Sequence, residues 1–107
     1  MGEINESDWK LLRQLHREAL ERFCKQILSE VERINSDRAK SFHQRYMDIN
    51  KVLYQRDKEM AQAFDDMRRS RAVTRIASIK ALGLLTDDEF ARFSQGIREA
   101  VNLMLGS

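Results

Sequence analysis

Residues 79–90 read Ile79-Lys80-Ala81-Leu82-Gly83-Leu84-Leu85-Thr86-Asp87-Asp88-Glu89-Phe90, and the way they stop one helix and start another decides the fold. Gly83 suits the left-handed residue that follows a helix end. Leu84, just beyond it, is placed to touch Ile79, the apolar contact of a Schellman ending. Thr86 is a good N-cap, and Glu89 three residues on completes a capping box. Leu85 and Phe90 have the spacing of a hydrophobic staple, and three carboxylates in the first turn oppose the helix dipole. Both helix ends are written locally, so the chain is expected to be helical on either side of a tight turn.

Downstream, the third helix is expected over 87–105, with Phe90, Phe93, Ile97, Val101 and Met104 on one face. Gly96 inside it costs ~1 kcal/mol against Ala. Either the helix kinks near Ser94 or Gly96 lets a neighbour approach closely; one bent helix is the expectation. Upstream, a long helix is expected over 37–82. Its stripe is Phe42, Tyr46, Ile49, Leu53, Met60, Phe64 and Met67, a heptad-like seam if Arg56 and Ala63 fill the gaps. From Ala72 to Leu85 the apolar residues point several ways, which demands cover on most sides.

Asn35-Ser36-Asp37 reads as a helix–helix turn, since Asn tolerates the left-handed conformation and Ser or Asp can cap the next helix. One uninterrupted helix is the alternative, because the stripe does not lose phase sharply over residues 34–42. The first helix is expected over 6–34. Asn5 caps it, Ile4 and Trp9 form a staple, and Leu12, Leu20, Phe23, Ile27, Val31 and Ile34 fall on one face. The expected fold is therefore all-α: an antiparallel helical hairpin or bundle of about three helices with a long central one. It forms a single domain over 1–107, with 72–105 as a C-terminal helix–turn–helix substructure.

Composition agrees. There is no proline and only four glycines, and 34% of the 107 residues are charged with the signs mixed. One cysteine, Cys24, excludes an intrachain disulfide. No window approaches the ~18 apolar residues of a membrane span, so a cytoplasmic protein with no membrane contact is expected. The net charge of +2 is uneven: residues 1–36 carry −1, residues 37–82 carry +5 and residues 83–107 carry −2. Acidic helices packed beside a basic one account for this. A nucleic-acid surface is the sharper alternative.

Within residues 72–93, Ile76, Ile79 and Leu82-Gly83-Leu84-Leu85-Thr86-Asp87-Asp88-Glu89-Phe90 resemble the short C-terminal helix–turn–helix (SHOCT) domain. That family has spaced aliphatics, a glycine, an aliphatic pair, a capping Thr or Ser, and an acidic run ending in Glu-Phe or Glu-Tyr. The likeness stops after Phe90, where Phe93-Ser94-Gln95-Gly96 replaces the family's basic, leucine-ended continuation. The resemblance implies oligomerisation, with nucleic-acid contact as an associated property.

No constellation for catalysis is written in the chain. His16 lies on the apolar face of the first helix and reads as a boundary or core residue. His43 is expected in solvent. Neither has a metal-ligand neighbour at helical spacing. Cys24 has no nearby base and reads as a small half-buried hydrophobe. Adjacent carboxylates such as Asp65-Asp66 and Asp87-Asp88 point about 100° apart on a helix and do not converge. Catalytic, cofactor and metal residues are therefore expected to be absent, and the chain is expected not to be an enzyme. Two surfaces stand out instead. Val73, Ile76, Ile79, Leu82, Phe90, Phe93 and Ile97 form a self-association face, expected to pair two copies as a homodimer. Arg68, Arg69, Arg71 and Arg75 form a basic cluster that could meet phosphates, although no aromatic residues interleave to stack bases.

Overall fold

The computed structural model describes residues 4–106, and among them every regular element is helical. The helices are α1 (Glu6–Asn35), α2 (Phe42–Phe64), α3 (Ala72–Ala81), α4 (Asp87–Ala91) and α5 (Gln95–Met104), with a 3-10 turn at Arg69–Arg71. None is long and apolar enough to cross a membrane.

The first helix starts as its sequence dictates. The Asn5 side chain accepts from Asp8 N–H at 2.8 Å, and Ile4 and Trp9 close over the core. The turn at the other end is longer than Asn35-Ser36-Asp37. The Asp37 side chain and backbone hold a bend, and α2 begins only after Ser41, whose hydroxyl accepts from Gln44 N–H. Helices α1 and α2 run antiparallel, as three cross-links show: Arg45 to Asn35 O, Arg56 to Glu30, and His16 to Phe64 O.

The expected continuous helix over 37–82 is not formed. Helix α2 ends at Phe64, and Asp66 takes a positive φ of 57°. Asp is one of the few residues that visits this region at modest cost. The reason for the stop is tertiary. The carbonyls that a longer helix would have used internally are taken from outside: Arg75 Nη1 donates to Gln62 O, and His16 Nε2 lies 3.3 Å from Phe64 O. The break lets α3 fold back and touch α1, α2 and α5. Ile76 and Ile79, both about 1% exposed or less, then enter one core with Leu12, Leu15, Phe64, Leu84, Phe93 and Val101.

The α3–α4 turn is built as written. Gly83 has φ 73°, its N–H donates to Lys80 O, and Leu84 N–H donates to Ile79 O, the two bonds of a Schellman ending. The Thr86–Glu89 capping box is reciprocal. The one bent helix expected over 87–105 is instead two helices separated by Arg92–Ser94. Asp8, from the first turn of α1, intervenes: its carboxylate accepts from both the N–H and the hydroxyl of Ser94 and so caps α5 from another helix. Gly96 has no neighbour that a Cβ would meet, so close approach is not its role.

The molecule measures 53 × 25 × 24 Å. All of the buried side chains of α2 lie at its C-terminal end, Ala63 and Phe64. The core therefore occupies one end of the long axis, and the last turns of α1, beyond Ile27, extend from it with the first half of α2 as a two-helix arm.

Candidate interaction surface

The seven residues expected to form a self-association face do not present one. Ile76, Ile79 and Phe93 are fully buried within the single chain, and Val73, Leu82, Phe90 and Ile97 are half-buried and packed against the same core. A continuous helix over 37–82 rests on the assumption that residues 72–85 run on beyond the reach of α1. The break after Phe64 removes that assumption, because α3 returns alongside α1.

Of the arginine cluster only Arg75 is drawn inward; Arg68, Arg69 and Arg71 stay exposed and pair with carboxylates. Arg75 is 7% exposed and caps α2 through Gln62 O. Arg69 pairs with Glu6 and lies over the Trp9 ring, in place of the pair with Asp65 that a continuous helix would have made. Arg68 and Arg71 both reach Asp66, and Arg56 meets Glu30 and Glu59 of its own chain. A recurring task for arginine here is to satisfy carbonyls left open at helix ends and turns. Arg22 donates to Leu84 O, Arg45 to Asn35 O and Arg98 to Phe93 O. A guanidinium engaged in this way has fewer donors left for a phosphate.

Arg22 and Glu89 form a bidentate ion pair, with two parallel bonds of 2.7 Å joining α1 to the capping box of α4. The Arg22 bonds, aided by the Thr86 backbone N–H, hold the Glu89 carboxyl at about 2, below its ordinary 4.5. A depressed carboxyl stabilises the fold above its unfolded value, and that stability is lost as pH falls through the folded one. With Arg22 partly in solvent, the pair is worth about 1 kcal/mol at neutral pH. We expect urea titrations to show Glu89→Gln less stable than wild type by that amount at pH 7. The gap should close between pH 4.5 and 2; a gap of constant size would mean that the carboxylate charge is not what matters.

The histidines and cysteine make no catalytic grouping. His16 is half-buried, edge-on to Phe64 at 5.1 Å, and serves as a cap for α2. His43 is exposed and Cys24 half-buried. Among the described residues no three of His, Cys, Asp and Glu converge as a metal site needs. The concave region beside Cys24 is lined by residues of α1 alone and is a furrow on one helix.

Uncovered apolar surface lies at the end of α5, where Leu103, Met104 and Leu105 are exposed, and more extensively on the arm. On α2, Phe42 is 83% exposed, Tyr46 64% and Tyr54 66%, and Met47 and Leu53 are also exposed. The inner side of the arm is held differently: Ile49, Val52, Arg56 and Met60 are half-buried and face α1. At 100° per residue, the exposed set is centred roughly 95° round α2 from this inner side. Two of the exposed aromatics carry a cation: Arg45 lies 4.5 Å from the Phe42 ring and Lys58 4.4 Å from the Tyr54 ring. The heptad-like stripe contained Phe42, Tyr46 and Leu53, but it treated them as one seam with Met60 and Phe64. Only the fold shows that the stripe divides, its C-terminal half packing on the core and Phe42, Tyr46 and Leu53 left in the open while Ile49 turns to α1. Comparison with protein families, with curated proteins and with solved structures gave no match to this chain.

Proposed function

We propose that this chain is a non-enzymatic, cytoplasmic interaction module that works by self-association of its helices. The carrying observation is the apolar face on α2, where five large side chains stand uncovered on a helix whose other side is already partnered. Monomers seldom leave a contiguous apolar patch of more than a few hundred Å² open to water, and a symmetric partner is the common remedy. The SHOCT-like character of residues 72–93 leans the same way. Its role here is to close the core and hold the arm at a fixed angle, with α3 and α4 buttressing α1.

Light scattering behind size exclusion, over a concentration series, tests this reading. A mass rising towards two chains is the expected result. A single-chain mass at every concentration would overturn it. The nucleic-acid alternative predicts instead a salt-dependent shift with generic duplex DNA; the burial of Arg75 and the pairing of the exposed Arg68, Arg69 and Arg71 with carboxylates leave fewer free donors for it.

A further inference from the structure

The exposed face of α2 is symmetric about one residue. Counting outward from Asn50, Tyr46 is matched by Tyr54 and Met47 by Leu53, and all four are exposed. One turn further out, His43 is matched by Asp57, both exposed. At 100° per residue these six residues and Asn50 fall within an arc of about 120° centred on Asn50 itself. The edges of the face match as well, with Phe42 opposite Lys58.

This is the pattern a two-fold interface requires. In an isologous contact residue i meets j and j meets i, so a helix pairing with its own copy in antiparallel must present mutually complementary side chains at equal distances from the axis. We propose that two copies pair through this face, antiparallel, about a two-fold axis at Asn50. This rests on the self-association reading above and names the surface and register it uses.

Three observations choose a second copy in this orientation. The first is charge. Antiparallel pairing sets each His43 against the partner copy's Asp57, an imidazole against a carboxylate, whereas parallel pairing sets like against like. The second is the axis residue. Two Asn50 side chains meeting at the centre can exchange amide hydrogen bonds, and a lone polar residue at a helix interface fixes register at a cost in stability. The third is area. Taking ~200 Å² for a whole aromatic side chain and somewhat less for Met and Leu, the exposed fractions amount to roughly 600 Å² per copy. Two copies would bury about 1,200 Å², the lower end for a specific pair. The side of α2 that faces α1 is centred about 115° round the helix from Asn50.

The test uses the full chain in two arms. In sedimentation velocity, wild type should shift from one chain towards two over about 1–100 μM, the range that a small interface implies. Tyr46→Glu with Tyr54→Glu should weaken association at least 100-fold while circular dichroism stays unchanged, since both side chains are in solvent. For orientation, Cys24→Ser chains carrying His43→Cys or Asp57→Cys are treated with a short bismaleimide. The mixture should cross-link efficiently, and His43→Cys alone should not. A dimer that survives the double glutamate substitution would overturn the proposed face while leaving self-association standing. Equal cross-linking of His43→Cys alone would overturn the antiparallel register. A monomer at every concentration would remove both the register and the reading beneath it.

Discussion

Ile76→Glu should leave the chain unfolded at room temperature. Ile76 is 0% exposed, at the point where α3 meets the rest of the core. A carboxylate there would lose its water without gaining a partner, and burial of an unpaired charge costs several kcal/mol. A domain of this size has only ~5–15 kcal/mol in hand. The graded controls give the mechanism its signature. Ile76→Ala should cost about 2–5 kcal/mol through the cavity it leaves. Val73→Glu, at a half-buried position, should cost about 1–2 kcal/mol and keep the fold. Circular dichroism and urea titration measure all three. An Ile76→Glu protein that stays helical, with only its mass in solution changed, would show that this face of α3 meets a partner chain rather than its own core.

Asp8→Ala should be the most damaging change among the polar residues, at about 2–4 kcal/mol. Asp8 is 3% exposed and receives two hydrogen bonds from Ser94, 86 residues away. It stands in the first turn of α1 and at the N-terminus of α5, so one carboxylate opposes two helix dipoles. Its removal leaves the Ser94 N–H without a partner and loosens the seating of Phe93 and Val101. Ser94→Ala, which deletes only the hydroxyl bond, should cost about 1 kcal/mol. Limited trypsin digestion gives a second readout. In the Asp8→Ala protein, cleavage after Arg92 and Arg98 should be the first to accelerate, because α5 is the element released. Uniform acceleration at all sites would mean that Asp8 supports the whole fold and not this joint.

What the sequence determined by itself was local and backbone-level. The Asn5 cap, the Gly83 Schellman ending and the Thr86–Glu89 box each need only residues within six positions of one another, and each is built as its residues require. The helical class comes from the same short-range physics, together with the scarcity of glycine and the lack of proline. What only the tertiary structure decided was where helices stop without a local signal. Asp65-Asp66 carries no glycine or proline, and α2 ends there because Arg75 and His16, each more than ten residues distant, take its carbonyls. Helix α5 begins at Ser94 because Asp8 reaches it from the opposite end of the chain. Those two breaks moved Ile76, Ile79 and Phe93 from an expected surface into the core. They also divided one apolar stripe of α2 into a buried half and an open one. Periodicity reports that a helix has an apolar face; which stretch of that face is covered depends on how far the neighbouring helix reaches, and that length is set by contacts remote in sequence.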